Sequence, residues 1–426
     1  MFKRQEPRLA ALLLSLLLFA SACGGGEAEV LAAADVPRVA GDVTAQGEVT
    51  DASAAFALDL YRQLATEGEN LVFSPHSIAL ALAMTRAGAA GVTADELDAL
   101  LHLAGITDPH GGFNALDQEL SGRSGIYTRG DETEAELQLT VANALWGQRG
   151  TKFEEGFLEL LAQQYGAGMG LVDYKADAEA ARVEINEWIA EQTSGRIEDL
   201  ISEGGLNSLT RLVLTNAVYL LAPWEAPFDD DGTSPGVFYL VDGSEATAEL
   251  MHLFEPLRYT SGDGWQAVEL PYAGRELSMI VIVPDKGRFG EIEAGLSASR
   301  LDEIAAELSG TPVDLRFPKF EFRTQAGLLP ALVALGLNEA VDPSRADFSG
   351  MTTEEKLFIA AVIHEAFIAV DEEGTEAAAA TAVVMAASAA PSEPVQLTVD
   401  RPFMFQIKDA TTGSVLFFGR VMDPAT

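Results

Sequence analysis

Serine and histidine residues are the first places to look for catalysis in this chain of 426 residues. The segment Gly232-Thr-Ser-Pro-Gly236 matches the pattern that presents a nucleophilic serine on a tight turn between a strand and a helix. Such a turn needs a backbone N–H directly after the serine to stabilise an oxyanion, and Pro235 has none. The acidic run before it, residues 229–231, indicates a loop without regular structure. We therefore do not expect Ser234 to be catalytic.

The sequence also contains no motif typical of a metal site or of a cofactor site. The histidines show no spacing typical of a metal site, and no glycine-rich loop suited to phosphate is present. They are His76, His102, His110, His252 and His364. The single cysteine, Cys23, excludes an intrachain disulfide. We predict a protein that is not an enzyme and needs no metal or cofactor.

A different kind of chemistry is indicated by residues 370–385, Val-Asp-Glu-Glu-Gly-Thr-Glu-Ala-Ala-Ala-Ala-Thr-Ala-Val-Val-Met. Read as a strand, every second residue from Thr375 to Met385 shares one uncharged face, and Glu376 lies on the other. Such a segment is suited to becoming a middle strand of a sheet, with Gly374 as the hinge. Composition alone favours a helix instead, because Ala377–Ala380 are strong helix formers and poor strand formers.

The segment Glu372–Met385 resembles the hinge and reactive-centre loop of inhibitory serpins, within the characteristic phrase Val-Ile-His-Glu-Ala-Phe-Ile-Ala-Val-Asp-Glu-Glu-Gly-Thr-Glu-Ala-Ala-Ala-Ala-Thr. The resemblance continues, in family order, through residues 70–84, 139–146, 186–197, 212–224, 400–405 and 415–421. It implies an α+β serpin fold, with helices around a large central mixed β-sheet plus smaller sheets and an exposed reactive-centre loop. Independently of the resemblance, the pattern of apolar segments and polar turns predicts that residues 122–136 and 229–236 are the least structured stretches after Asp51.

The mechanism that the resemblance implies is mechanical. A protease cleaves the loop as a substrate and forms an acyl-enzyme, and the freed loop inserts into the central sheet and drags the protease with it. The hinge is assigned to Glu372, Gly374, Thr375, Glu376, Ala377, Ala378, Ala379 and Ala380. Family spacing places the recognition residue at Ser388 and the cut before Ala389, with Ala386 and Ala387 as neighbouring candidates.

The residues around the expected cut are small, which favours proteases with shallow or aliphatic pockets, elastase-like or subtilisin-like, over trypsin-like enzymes. Both serine and cysteine proteases stay open as targets. The alternative is a non-inhibitory serpin that acts as a binding or chaperone-like protein. Such members often carry bulky, charged or proline residues in the hinge, and this chain has none at Gly374, Thr375 or Ala377–Ala380.

The resemblance also implies a small polar network, the family's shutter, beneath the strands that must part. It would consist of Ser74, Ser77, Asn216 and His364, and Trp224 would lie at the breach, where insertion begins. Each residue has an ordinary interpretation when taken singly. Ser74 before Pro75 suits a helix N-terminus, and a lone histidine or tryptophan suits a core.

The N-terminus has the features of an export signal. Basic residues precede an apolar run at Leu9–Ala20 that is short for a membrane span, and small residues lead to Cys23. Ala20-Ser21-Ala22-Cys23 resembles a bacterial lipobox, so we expect a signal peptide at residues 1–22 and lipid attachment at Cys23. A plain cleaved signal is the alternative. Residues 23–50 are expected to be a flexible tether and residues 51–426 a single serpin domain. The expected location is extracytoplasmic, on the bacterial cell envelope or surface.

Charge limits the partners. The chain has 65 acidic and 27 basic residues and a formal net charge of −38, so phosphate backbones and other polyanions would be repelled. We therefore expect no nucleic acid partner and no heparin-like activator. A monomer that meets a protease, held at a membrane by its lipid anchor, is the expected arrangement.

Overall fold

The computed structural model describes residues 29–31, 36–375 and 393–426. Within these residues, four helices occupy most of positions 43–121, and the later ones lie between strands, with α7 and α8 adjacent in the sequence. They are α1 (Val43–Leu64), α2 (Pro75–Arg86), α3 (Gly91–Leu100), α4 (Pro109–Ser121), α5 (Glu155–Leu160), α6 (Ala178–Gln192), α7 (Phe289–Ala294), α8 (Ala298–Glu307) and α9 (Leu329–Ala334). A π-helical turn, Leu161–Tyr165, extends α5.

The strands form two sheets. They are β1 (Glu29–Leu31), β2 (Leu71–Phe73), β3 (Gly125–Thr128), β4 (Glu134–Gln148), β5 (Met169–Val172), β6 (Leu212–Pro223), β7 (Asp229–Tyr239), β8 (Glu245–Gly262), β9 (Trp265–Pro271), β10 (Leu277–Pro284), β11 (Ser309–Pro318), β12 (Phe320–Gly327), β13 (Ile359–Val370), β14 (Gly374–Thr375), β15 (Val395–Thr398), β16 (Phe403–Asp409) and β17 (Val415–Val421).

The first sheet is mixed. Its strand order is β1-β5-β4-β6-β14-β13-β12, with β3 paired to β4. Strands β6 and β13 run parallel, whereas β4 and β12 run antiparallel to their neighbours β6 and β13. The second sheet has the order β15-β11-β8-β9-β10-β16-β17-β2, with β7 on β8. The architecture is thus the α+β arrangement that the sequence predicts.

Helix α2 lies at the centre of the core. Ser74 caps its N-terminus by accepting a hydrogen bond from the backbone N–H of Ser77, and Pro75 occupies the first turn, where its missing N–H is tolerated. Every residue from Pro75 to Thr85 is buried. The helix therefore packs on all sides, against both sheets and the neighbouring helices, and it forms the floor beneath the first sheet.

The expected flexible tether is wrong at its C-terminal end. Helix α1 begins at Val43, because Asp42 caps it by accepting hydrogen bonds from the N–H groups of Thr44 and Ala45. Ala45 and Val49 are buried in the core, so the folded part of the chain begins well before Asp51. Farther upstream, β1 pairs with β5 and forms an edge of the first sheet. The remainder of the proposed signal and tether, including Cys23, lies outside the described residues.

Two other expectations about loops are also wrong. The stretch at residues 229–236 belongs to strand β7, and residues 122–136 contain β3 and the start of β4. In both places pairing with a neighbouring strand supplies the order that composition did not indicate. As for membranes, none of the helices in the described ranges combines the length and apolar character needed to cross one.

Candidate functional site: a central sheet opened at one end

Strands β6 and β13 are paired at one end of the first sheet and separated at the other. Their parallel pairing runs from Ile359 opposite Leu212 to Ala366 opposite Val218. Beyond this point the strands diverge, and β14 lies between them. Gly374 pairs with Pro223 of β6, and Thr375 pairs with both Ala222 of β6 and Val370 of β13. The chain thus already enters the sheet by two residues at its open end.

Gly374 is required there for steric reasons. A Cβ atom at this position would lie 2.4 Å from the carbonyl oxygen of Ala222 and 2.6 Å from the Cα of Pro223. Both are backbone atoms, which have no alternative rotamer. The glycine therefore allows the close approach of β14 to β6, in addition to any freedom that it gives the backbone.

Thr375 is the innermost described residue of this segment. Its side chain is buried and shares a hydrogen bond of 2.7 Å with the hydroxyl of Tyr272. The Tyr272 ring stacks on Trp224 at a centroid distance of 4.6 Å, and the Trp224 indole N–H donates to the carbonyl oxygen of Asp371. Trp224 also donates its backbone N–H to the carbonyl oxygen of Glu373. Trp224 thus binds the backbone of Asp371 and Glu373, and Tyr272 binds the side chain of Thr375.

Charged residues hold the same segment from outside the sheet. Glu372 pairs with Lys319 at 2.5 Å and accepts a hydrogen bond of 2.6 Å from Thr233. Glu373 pairs with the buried Arg129 at 3.5 Å. Together with the two aromatic residues, these contacts define what we call the hinge anchor: Arg129, Trp224, Thr233, Tyr272, Lys319 and residues 371–375.

Beneath the closed end of the sheet lies a group of polar side chains, the central polar cluster: Ser74, Ser77, Asn143, Asn216 and His364. All are buried except Asn143, which is partly exposed. Asn216 donates through Nδ2 to Ser77 Oγ and Asn143 Oδ1, and its Oδ1 bonds to Nδ1 of His364. The backbone N–H of Ser74 donates to Nε2 of His364 over 3.2 Å. The cluster therefore connects α2, β4, β6 and β13 at one level.

The four residues expected to form the shutter lie together in this cluster, and the sequence analysis missed its fifth member. Asn143 accepts a hydrogen bond of 2.8 Å from Ser77 Oγ and donates to the Ser77 carbonyl oxygen over 3.0 Å. It lies directly opposite Asn216 in the β4–β6 register. The shared Asn-Ala pair in the two strand motifs was the available signal.

Burial sets the charge of the cluster. The interior of the core lowers the pKa of His364 to about 3, against an opposing hydrogen bond with Asn216. His364 is therefore neutral at physiological pH. Since Nε2 accepts from Ser74, the proton must be on Nδ1, where it is donated to Oδ1 of Asn216. The strands are thus held by an uncharged network.

The described residues give no support to catalysis. Ser234 lies within strand β7, opposite Leu250, and therefore lacks the strand-to-helix turn of a nucleophile elbow. No cluster of three potential metal ligands occurs among the residues that the structure covers. Several predicted site residues lie outside those residues: Glu376, Ala377, Ala378, Ala379 and Ala380 of the hinge, Ser388 and Ala389 of the reactive bond, and Cys23.

Comparison with known proteins adds to this geometry. Residues 51–424 match the family described as "Serpin (serine protease inhibitor)". The chain is 40% identical over 396 residues to an uncharacterized serpin-like protein of Thermococcus kodakarensis, covering 91% of this chain and 89% of that one. It is 34% identical over 385 residues to leukocyte elastase inhibitor of Xenopus tropicalis, covering 88% and 99%.

Among solved structures, the chain is similar to the native state of the thermophilic serpin tengpin. The TM-score is 0.81 at 26% sequence identity, and the match covers 93% of this chain and 100% of the other. The chain belongs to the serpin family. Membership supports protease inhibition, rather than an enzymatic activity, as the function at family level.

Proposed function

We propose that this protein is an irreversible suicide-substrate inhibitor of serine endopeptidases, with cysteine endopeptidases as further targets. The observation that carries the proposal is the seating of Gly374 and Thr375 between β6 and β13. A strand that is already started needs no new nucleation, so the cleaved loop can extend it along the same path. The alanines that follow in the hinge, Ala377–Ala380, carry small side chains that would fit between the two strands.

The register of β14 supports this path. Thr375 lies opposite Ala222 of β6 and Val370 of β13, and both pairings are antiparallel. In an antiparallel register, each following residue of the inserted loop would pair with the preceding residue of β6 and of β13. Thr381 would then lie between Asn216 and His364, level with the central polar cluster. Met385 would reach Leu212, where β6 begins.

The same register fits the proposed reactive bond. Ser388 lies three positions after Met385 in the sequence, so a cut after it frees enough chain to cross the whole sheet. Insertion would replace one parallel pairing between β6 and β13 by two antiparallel ones. Antiparallel pairs are slightly more stable per residue, and their number doubles, so the movement is favourable. That gain would carry an attached protease across the sheet before deacylation.

Incubation with elastase and with subtilisin tests the proposal. We expect a covalent complex that survives denaturing electrophoresis, and a large rise in melting temperature when the loop is nicked by a protease that is not trapped. The melting temperature of the nicked protein reports loop insertion independently of protease trapping. Absence of both results would support the alternative, a non-inhibitory serpin that acts as a binding or chaperone-like protein.

The proposed targets have small-residue specificity, because Ser388, Ala389 and their neighbours are small. The similarity to leukocyte elastase inhibitor is consistent with this choice. Replacing Ser388 with arginine should weaken trapping of elastase by at least about tenfold and create trapping of trypsin, whose charged pocket rewards a cation. N-terminal sequencing of the released fragment locates the cut. A fragment that begins far from Ala389 would contradict the assignment.

We further propose that the protein is exported and anchored by a lipid on Cys23, at the extracytoplasmic face of a bacterial envelope, as a monomer. The support is the order of basic residues, apolar run and small residues before the single cysteine. Mass spectrometry of the native N-terminus tests the anchor. A mature chain that begins at another residue, or an unmodified Cys23, would contradict it.

A further inference from the structure

Strand β1 fixes the point at which the N-terminal segment enters the first sheet. It runs antiparallel to β5, and Glu29 pairs with Leu171. Leu171 lies opposite Gly147 of β4, and Gly147 lies opposite Leu212 of β6. Glu29 is therefore level with Leu212, where the pairing of β6 with β13 begins. Strand β1 thus starts at the closed end of the sheet and runs towards the end that holds the hinge anchor.

The proposed lipid anchor is close to this point. Cys23 precedes Glu29 by six residues, and a chain of that length spans at most about 20 Å even when fully extended. Ala222, which pairs with Thr375 of the hinge, lies ten residues after Leu212 on β6, about 33 Å farther along the strand. The tether is therefore shorter than the distance between the two ends of the sheet. A lipid on Cys23 would keep the closed end near the membrane surface.

Charge differs between the two ends of the sheet. Around the closed end, basic and acidic side chains are mixed, and some form ion pairs such as Arg149–Glu29 at 3.2 Å and Lys175–Glu355 at 3.0 Å. The exposed cations in this region include Arg149, Lys152, Lys175 and Lys356. Such a surface presents lysine and arginine to anionic lipid headgroups, which attract them over about one Debye length, roughly 10 Å.

The surface around the hinge anchor is more acidic. The turn between β3 and β4, the start of β4 and the start of β7 present exposed carboxylates: Asp131, Glu132, Glu134, Glu136, Asp229, Asp230 and Asp231. Cations of the hinge anchor are paired with carboxylates, Arg129 with Glu373 and Lys319 with Glu372. Anionic lipid therefore repels this end of the sheet more strongly than the closed end.

We propose that the anchored protein is oriented with the closed end of the first sheet towards an anionic bilayer and the hinge anchor towards the surrounding solution. This orientation rests on the lipid anchor proposed above. It presents the reactive bond to proteases that arrive from solution. It also gives the inhibitory movement a direction, since insertion of the loop as far as Leu212 would carry a bound protease to the end of the sheet that faces the membrane.

The orientation can be measured on the chain from Cys23 onwards, coupled through this thiol to a maleimide lipid in vesicles of phosphatidylcholine and phosphatidylglycerol. Because Cys23 is the only cysteine, coupling occurs at one site. A fluorophore is attached through p-acetylphenylalanine in place of Leu209, exposed just before β6, or of Glu134, exposed at the start of β4. The two positions lie about 40 Å or more apart along the sheet, so energy transfer to a dye on the lipid headgroups should be at least about twofold stronger from position 209.

Two controls show that the tether sets this order. Cys23→Ser combined with Glu136→Cys attaches the same domain by its hinge end and should reverse the order of the two labels. Insertion of about 20 glycine and serine residues directly after Cys23 gives a flexible tether nearly as long as the sheet and should bring the two transfer efficiencies closer together.

Labelled elastase tests the consequence for inhibition. As the covalent complex forms, energy transfer from elastase to the lipid dye should rise, whereas elastase with a blocked catalytic serine should show no rise. The proposed orientation is overturned if the labels at positions 209 and 134 transfer equally, if position 134 transfers more strongly, or if covalent complex accumulates without the rise. If no covalent complex forms, the inhibitory function fails, and the comparison of the two labels still decides the orientation. Chemical coupling makes that comparison independent of lipidation in the cell.

Discussion

The two ends of the β6–β13 boundary are held by different chemistry. At the closed end, the central polar cluster is uncharged, all its members except the partly exposed Asn143 are buried, and it connects four elements through hydrogen bonds. At the open end, the hinge anchor combines stacked aromatic rings with ion pairs such as Lys319–Glu372, whose lysine side chain is 38% exposed. The closed end is thus held by hydrogen bonds in the interior, whereas the open end has at least one ion pair that solvent can reach.

This difference suggests how a sheet can be stable and still able to open. Buried neutral hydrogen bonds break only if new partners replace them, because an unsatisfied buried group costs about 1–3 kcal/mol. A partly exposed ion pair such as Lys319–Glu372 is worth less, about 0–1 kcal/mol, and its lysine can exchange with water. Strand insertion should therefore begin at the hinge anchor and be limited by the central polar cluster.

The largest effect is expected from Thr375→Arg. The buried hydroxyl bonded to Tyr272 would be replaced by a charge, and holding a charge in the packed face of the sheet costs several kcal/mol, on the order of 3. The arginine should therefore leave the sheet and undo the start of β14, so that insertion must begin again against this cost. Slowing insertion by that amount lowers its rate about 100-fold, so deacylation should win. The loop is then cut, the protease is released active, and no covalent complex accumulates in denaturing gels.

The matched control is Thr375→Ser, which retains a hydroxyl for Tyr272 and should still trap. Melting curves of the nicked proteins give a second measurement, since the arginine variant should be stabilised less than the control. Equal covalent complex formation by both variants would show that trapping does not depend on residue 375 being seated in the sheet.

The next effect concerns the closed end. Asn216→Ala removes a side chain that bonds to Ser77, Asn143 and His364, and it leaves their polar atoms buried. We expect a loss of about 3 kcal/mol in the free energy of unfolding, measured by urea denaturation. The exposed Asn338→Ala should lose less than about 0.5 kcal/mol. Similar losses in the two variants would show that the central polar cluster does not contribute specially to the free energy of unfolding.

Acid should weaken the closed end before the open end. His76 and His364 have pKa values lowered by burial, so unfolding exposes histidines that bind protons more readily than the folded ones. Their stabilising contribution is complete above about pH 6.5 and is lost as the pH falls towards the lowered folded values. Asp371 behaves oppositely: burial raises its pKa, so protonation there favours the fold.

The measurement is the free energy of unfolding between pH 6.5 and pH 5. Each buried neutral histidine should contribute a loss of up to about 1.4 kcal/mol per pH unit, and His76→Phe should remove one such contribution. An unchanged slope in His76→Phe would mean that His76 is protonated in the folded protein.

The smallest effect is expected from Lys319→Met, which removes the ion pair with Glu372 at the surface of the hinge anchor. Stability should change by less than about 1 kcal/mol, because the lysine is partly exposed. The rate of covalent trapping should rise slightly as the hinge is released. If Lys319→Met lost as much stability as Asn216→Ala, the hinge anchor would not be more weakly held than the central polar cluster.

The residues of the closed end could largely be found from the sequence. At the open end the hinge residues and Trp224 could be found as well, but the side chains that contact the hinge from other strands and loops could not. Ser74, Asn216 and His364 lie in motifs that the family carries. Ser74 has both of its possible roles at once, since its hydroxyl caps α2 while its N–H donates to His364. By contrast, Arg129 and Lys319 reach the hinge from far along the chain, and nothing local in the sequence indicates those contacts.

Asn143 and the start of α1 were missed for separate reasons. Asn143 reaches the cluster through the β4–β6 register, and register depends on long-range pairing rather than on neighbouring residues. The stretch before Asp51 has the composition of a tether, and only the capping residue Asp42 marks the helix. Packing of Ala45 and Val49 in the core decides in favour of order there.

The position of the last three strands has a consequence for a cleaved molecule. Thr375 is paired in the first sheet, whereas Val395 begins a strand of the second, in which β16 lies between β10 and β17. A cut between Thr375 and Val395 yields a short C-terminal polypeptide in which β15 pairs with β11 and the mostly buried β16 and β17 remain hydrogen-bonded to strands of the larger part. The product is a split protein held by complementation of its parts. It should migrate as one species in native conditions and as two after boiling in detergent.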